Sequence, residues 1–231
     1  MNHSISFAVI FDMDGTLLKT EEVALPAFKK TFETLKEEGL FTDKIPDDDD
    51  LTGVFGMTLE DIWNKLLPGQ SAEVMKKADQ LMLTYELEIL KQGGVHLYPS
   101  VIEMLRKLNK EKIPVFVASN GLDEYIRGVC SCFEMTEYFM DLYSAGRFQT
   151  ESKDDLVERL LSDFKIERAI MVGDRKSDIQ AGKANHLFTV GCQYGFSDEG
   201  ELAHADVIIK DFKELWPIVE RQVNQTKSGL K

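Results

Sequence analysis

Cysteine is scarce and odd in number, with Cys130, Cys132 and Cys192 the only three in 231 residues. An odd count cannot close into a full set of disulfides, and the C-x-C of the first two has no second pair to complete a zinc site. All three are expected to be small, reduced core residues. Long apolar runs are also missing: none approaches the ~18 residues that a membrane span needs. The opening stretch MNHSISFAVIFD has no basic segment, no long apolar stretch and no small-residue cleavage site of a secretory signal. A soluble, cytoplasmic protein with no membrane partner is expected. Positive charge is short as well, with 27 Lys and Arg against 40 Asp and Glu, a net charge of -13. Such a surface repels nucleic acid and anionic membrane. No nucleic-acid partner is expected, and an anionic substrate would need cations gathered at its site. Internal repeats and low-complexity tracts are absent.

What is present reads as an ordinary folded chain. At 43% hydrophobic and 29% charged residues, a chain of this length buries roughly 70% of its unfolded surface, enough for one or two domains. Short β-branched runs alternate with amphipathic stretches, the pattern of an α/β fold with a parallel sheet covered by helices. Strands are expected at 7–11, 114–118, 140–143, 169–172, 187–190 and 207–209. The rhythm breaks once, between the first two strands, where residues 18–95 read as all helix and predict a separate small domain. Its helices are expected at about 21–38, stopped by Gly39; from a Thr58 cap with Asp61 three residues on, to Pro68-Gly69; and over 71–92, ended by Gly93-Gly94. The acid run Asp47 to Asp50 is expected to be a solvated loop. The end of the chain, NQTKSGLK, is expected to fray.

Parallel sheets bind ligands beyond the carboxyl ends of their strands, and four predicted strands reach polar groups there. The first ends in Asp12 and Asp14, the second in Ser119-Asn120-Gly121, the third leads on to Lys153, and the fourth ends in Gly173-Asp174 with Asp178 four residues later. A phosphate monoester carries about two negative charges near neutral pH, so a carboxylate cannot approach its phosphorus unless cations screen it. Mg2+, a hard ion that takes oxygen ligands, suits this acid set. His3, His96, His186 and His204 fit no catalytic pattern, and Arg175 and Lys176 are expected to face solvent.

In order and spacing these groups resemble the haloacid dehalogenase superfamily of phosphohydrolases over nearly the whole chain. The first motif, D-x-D-G-T, is Asp12-Met13-Asp14-Gly15-Thr16; the second is Ser119, the third Lys153, and the fourth Gly173-Asp174 with Asp178. The resemblance implies a Rossmann-like parallel-sheet core over 1–17 and 96–231 and a helical cap over 18–95. It implies Asp12 as the nucleophile that forms an aspartyl-phosphate, and Asp14 as the acid and base. Ser119 and Lys153 would hold the phosphoryl group. Main-chain N–H groups from Met13 to Gly15 and at Asn120 and Gly121 would complete the cradle. Mg2+ would be held by Asp12, the Asp14 carbonyl and Asp174, with Asp178 either a direct ligand or a group that orients the others. Lys153 is followed by Asp154 where related phosphatases often have Pro, so Lys165 and Lys176 stand as alternatives; its place at a helix start favours Lys153.

The insertion follows the first motif directly, which resembles the phosphoglycolate phosphatase and β-phosphoglucomutase branch. There LTGVFGMTLEDIW falls where that branch has its specificity loop, making Gly53, Phe55, Met57 and Thr58 candidates for substrate contact, with Phe55 and Met57 equally readable as cap core. Asp14 argues against a dehalogenase or a phosphonate-cleaving enzyme, which lack this second acid. The branch's mutases carry a His early in the first cap helix, and none occurs between residues 21 and 30. A phosphatase acting on a small phosphorylated metabolite is therefore expected ahead of a mutase or a catalytically silent phospho-ligand binder. Sugar phosphates, phosphoglycolate and nucleoside monophosphates all suit the same core, and the number of subunits stays open.

Overall fold

Six strands pair side by side in one parallel sheet, in the order β3-β2-β1-β4-β5-β6. They are β1 (Ala8–Phe11), β2 (Val115–Ser119), β3 (Asp141–Ser144), β4 (Ala169–Gly173), β5 (Phe188–Cys192) and β6 (Val207–Ile209). The computed structural model of the chain describes residues 4–197 and 200–228. His3 and the last three residues of the polar tail lie outside the described residues. All six strands stand where the sequence puts them, with β1, β2, β3 and β5 starting one residue later than expected.

Both faces of the sheet are covered, which explains why its strands read as unbroken apolar runs. Alternate side chains leave a strand on opposite faces. Val9, Phe11, Val117 and Val172 enter one apolar cluster, and Ala8, Ile10, Phe116, Ala118 and Met171 enter another.

The insertion supplies α1 (Glu21–Glu37), α2 (Asp48–Thr52), α3 (Leu59–Leu66) and α4 (Ala72–Gln92). The remaining helices belong to the sheet's flanks: α5 (Val101–Lys110), α6 (Asp123–Cys132), α7 (Ala145–Phe148), α8 (Lys153–Phe164), α9 (Lys176–Ala184) and α10 (Leu215–Ser228). Helix α1 gives way to Gly39 at φ +71°, and α4 to Gly93 at φ +81°. These are left-handed positions that glycine occupies at no steric cost. The four inserted helices enclose a third apolar cluster around Phe28, Phe32 and Trp63. The two ends of the insertion meet: the Lys19 N–H donates to the His96 carbonyl at 3.0 Å and the Tyr98 N–H to the Leu17 carbonyl at 2.9 Å.

Three expectations are corrected. The run Asp47 to Asp50 is not a loop: Asp47 caps α2 by accepting the Asp50 N–H at 3.1 Å, and Asp48, Asp49 and Asp50 fill its first turn. Carboxylates suit that positive end of a helix. Cys130 and Cys192 are buried as expected, but Cys132 is exposed at the end of α6. The end of the chain does not fray from residue 224, since α10 runs on through Ser228.

Candidate active site

The strand order reverses direction at β1, whose neighbours β2 and β4 lead away on opposite sides. That switch leaves a crevice beyond the carboxyl ends of β1, β2 and β4. Asp12 follows β1 directly, and the pairing carries on through it, its N–H donating to the Val172 carbonyl at 2.9 Å. Asp174 follows β4, Ser119 ends β2, Lys153 opens α8 and Asp178 lies in the first turn of α9. All five side chains are buried.

Carboxylate oxygens of Asp12, Asp174 and Asp178 all lie within 4.8 Å of one another. Between them sits Lys153, whose Nζ donates to Asp12 Oδ1 at 2.6 Å and to Asp178 Oδ1 at 2.5 Å. Of the three candidate lysines only Lys153 is brought among these acids; Lys176 is exposed and Lys165 closes α8 at its far end. The Asp178 Oδ2 also accepts the Arg175 N–H at 2.9 Å, which fixes the start of α9. Asp174 accepts the Thr16 hydroxyl at 3.2 Å and the Phe196 N–H at 2.7 Å.

Asp14 faces the other way. Its Oδ1 accepts two hydroxyls, from Thr20 and from Tyr125, each at 2.8 Å. Its second oxygen is left for a proton or a ligand. Ser119 Oγ accepts the Gly121 N–H at 3.1 Å, so its own hydroxyl proton remains available. The Gly15 N–H is spent on Leu18 O and Thr20 Oγ1, so neither Gly15 nor Gly121 has an uncommitted donor for the expected cradle.

The electrostatics are those of a site with too much negative charge. Burial raises Asp12, and Asp178, Asp174 and Asp14 raise it further against the opposing pull of Lys153. Burial, followed by Asp178, pushes Asp174 up to about 7. Burial also raises Asp14, opposed by its hydrogen bonds from Tyr125 and Thr20. Lys153 is pulled down by burial, but Asp12 and Asp178 outweigh this and hold it above the usual ammonium range. One ammonium cannot balance four acids. A hard divalent cation fits this all-oxygen donor set, with Asp12, Asp174 and Asp178 as the residues that would hold it.

The crevice widens into a cavity of about 740 Å³, mouth included, roofed by the inserted helices. Asp12, Asp14, Ser119, Asn120, Gly121 and Lys153 line its floor; Phe55, Gly56 and Met57 come from the loop before α3. Phe55 is buried among the inserted helices against Phe28, at 6.5 Å between centroids, and also lines the cavity. Gly53 and Thr58 are not brought to the cavity: Gly53 closes α2 at φ -66°, and Thr58 caps α3 by accepting the Asp61 N–H at 3.3 Å.

The loop is pinned to the core. Asn120 Nδ2 donates to the Gly56 carbonyl at 3.0 Å, and Phe55 meets Phe196 edge-on at 4.8 Å. Arg175 does not face solvent as expected. Its guanidinium donates to the Phe196 carbonyl and lies 3.6 Å from Glu201, and its stem packs against Gly56, where a Cβ would come within 2.9 Å. Lys176 is exposed, as expected. Thr16, Thr20, Tyr125 and Glu86 were not among the residues singled out from sequence. Thr16 had a signal, as the last letter of D-x-D-G-T; Thr20 and Tyr125 reach Asp14, and Glu86 the cavity wall, from elements whose facing no local pattern reveals.

The sequence profile of the haloacid dehalogenase-like hydrolases matches residues 9–192. The pyrophosphatase PpaX of Listeria monocytogenes is 24% identical over 91% of this chain and 95% of its own length. The phosphoglycolate phosphatase of Photobacterium profundum is 25% identical over 92% of this chain and 95% of its own. Among solved structures, CbbY of Rhodobacter sphaeroides in complex with phosphate superposes with a TM-score of 0.79 at 22% identity, covering 90% of this chain and 96% of that one.

Proposed function

Because the chain belongs to the haloacid dehalogenase-like hydrolases and is a phosphatase of that family, we propose that it hydrolyses a small phosphate monoester through an aspartyl-phosphate on Asp12, with Mg2+ bound. The observation that carries this reading is the meeting of Asp12, Asp174, Asp178 and Lys153 at one end of the cavity floor, with Asp14 and Ser119 beside them. We assign residues 18–95 as the cap and the rest as the core, on the separate apolar cluster of the inserted helices and the paired chain segments that join it to the sheet.

Bound between Asp12, Asp174 and Asp178, Mg2+ would neutralise charge on both the carboxylates and the phosphoryl oxygens and favour ionised Asp12. Asp12 attacks phosphorus, forming an O–P bond as the ester O–P bond breaks. Asp14 gives its proton to the leaving oxygen from the carboxyl oxygen that Thr20 and Tyr125 leave unused. It then takes a proton from the water that attacks the aspartyl-phosphate, releasing phosphate and restoring Asp12. Lys153 and the Ser119 hydroxyl hold the transferred group, whose charge spreads over its oxygens in the transition state. A raised Asp14 carboxyl suits the first proton transfer, since an acid works best when still protonated near the operating pH.

One feature favours hydrolase over mutase, and a second favours a small substrate over a protein. The α1 side chains on the cavity are Ala24 and Phe28, neither of which can relay a proton. The cap roof, pinned at Gly56, also leaves room for a small ester and not for a folded phosphoprotein.

The test is phosphate release from a panel of small esters with Mg2+ or with EDTA, beside Asp12→Asn. Release should need both the metal and Asp12, the substitution costing roughly a thousandfold or more. Turnover by Asp12→Asn at the native rate would remove the aspartyl-phosphate from the mechanism.

A further inference from the structure

Helix α4 runs over the cavity with Asp79, Met82, Leu83 and Glu86 at the three-and-four spacing of a single face, and all four line the cavity wall. The two acids differ. Asp79 accepts the indole N–H of Trp63 and so has a partner. Among the described residues Glu86 has no hydrogen-bond or ion-pair partner, although it is only partly exposed, and burial, then Asp14, holds its carboxyl well above the usual range.

The same cavity holds a second unused acceptor. Among the described residues Asn120 Oδ1 is buried with no hydrogen-bond partner, its amide nitrogen being committed to the Gly56 carbonyl. The aromatic rings of Phe28, Phe55, Trp63 and Tyr125 make up much of the remaining wall. Among the residues lining the cavity, Asp12, Asp14, Asp79 and Glu86 are acids and Lys153 is the one cation, and Lys153 is already held between Asp12 and Asp178.

This arrangement says what the alcohol part of the ester can be. The phosphoryl group and a bound divalent cation balance each other over the floor. A second anion on the substrate, whether carboxylate or phosphate, would be desolvated among carboxylates with no cation to meet it. A cation would find the opposite: a carboxyl without a partner, which its charge would pull back toward the ionised form, a free amide oxygen and aromatic rings, the combination that holds ammonium groups. We propose that the substrate is the phosphate monoester of an amino alcohol, its ammonium group seated against Glu86 and its carbon body against the aromatic wall. Hydrolysis breaks the ester P–O bond, with water supplying the new P–O oxygen, and yields inorganic phosphate and the free amino alcohol.

This inference rests on the phosphatase reading, and the test separates the two. Phosphoethanolamine and phosphocholine serve as ammonium esters, phenyl phosphate as a neutral one, and phosphoglycolate and pyrophosphate as anionic ones. The ammonium esters should exceed phosphoglycolate in kcat/KM by about tenfold or more, the scale of one charge contact in a partly screened site. Glu86→Gln should cut the ratio of ammonium to phenyl ester turnover by about tenfold, and Glu86→Lys should reverse the order in favour of phosphoglycolate. Calorimetric binding of the same compounds to Asp12→Asn, where the wall is native, ranks them without turnover. Inert esters that still bind ammonium-first would count against hydrolysis alone. Anionic compounds ranking first in binding or in turnover, or a ratio untouched by Glu86→Gln, would overturn the amino-alcohol assignment.

Discussion

Gly15 stands at φ +74°, and a Cβ built there would collide with the Asp174 carboxylate. Two costs therefore coincide at one position. A side chain in the left-handed region costs about 1 kcal/mol, and the clash displaces an acid that faces Asp12 and Asp178. A misplacement of this kind, about 1 Å, can lower the rate by about a hundredfold. Gly15→Ala is expected to lose kcat/KM by that factor or more while remaining folded, which steady-state kinetics beside circular dichroism would show. An alanine variant of native activity would mean that Asp174 need not hold its place.

The same position marks how far single residues could be read from the sequence. Asp12, Asp14, Ser119, Asp174 and Asp178 were legible because each is tied by a few bonds to the end of an apolar strand, and a parallel sheet brings those ends together. Thr16 hides in plain view, since a threonine after glycine looks like a helix cap, yet its hydroxyl goes to Asp174. Tyr125 reaches Asp14 across 111 residues and Glu86 the cavity wall from the inserted helices, and their facing depends on how α6 and α4 dock. No local period carries that information.

At the scale of elements, boundaries slipped where a side chain's partner decides them. Three aspartates following Asp47 look like solvated loop, but as the first turn of α2 they satisfy a helix end, and the choice turns on Leu51 packing into the cap cluster. The edge of the sheet shows a similar local device. Asp206 accepts the Thr189 N–H at 2.8 Å and its hydroxyl at 2.9 Å, takes Lys183 Nζ at 2.6 Å, and returns its own N–H to Thr189 Oγ1 at 3.0 Å. It thereby ties β5 to the turn before β6. Burial alone would raise its carboxyl, but Lys183 and Thr189 outweigh burial and set it below the ordinary value. A lowered folded pKa means stability that is present above the unfolded value, near ~3.9, and lost as pH falls through the folded one. Asp206→Ala is expected to cost about 1–3 kcal/mol at neutral pH by stranding the Thr189 N–H. It should also flatten the loss of stability below pH ~4. Urea denaturation at several pH values checks both, and an unchanged acid limb would show that Asp206 contributes little.

For the molecule as a whole the question is how a chain of net charge -13 gathers four buried or half-buried acids at one crevice. The cost is visible in Asp12, Asp14 and Asp174, all raised by burial, and Lys153 offsets only part of it. A divalent cation that binds the folded site and not the open chain should therefore stabilise the whole protein by mass action. At a hundred times its Kd the gain is about 2.7 kcal/mol. For a chain of this size each kcal/mol moves the midpoint by roughly 2–4 °C, so Mg2+ is expected to raise Tm by roughly 5–10 °C, and EDTA to take that rise away. Asp174→Asn relieves the charge crowding and removes a ligand at once. The cation-free variant should then melt no lower than the native chain, and its response to Mg2+ should fall to a small fraction. Scanning calorimetry with and without the ion decides it. If the native chain melts at the same temperature in Mg2+ and in EDTA, the acids are not balanced by a divalent cation, and their burial must be held by packing alone.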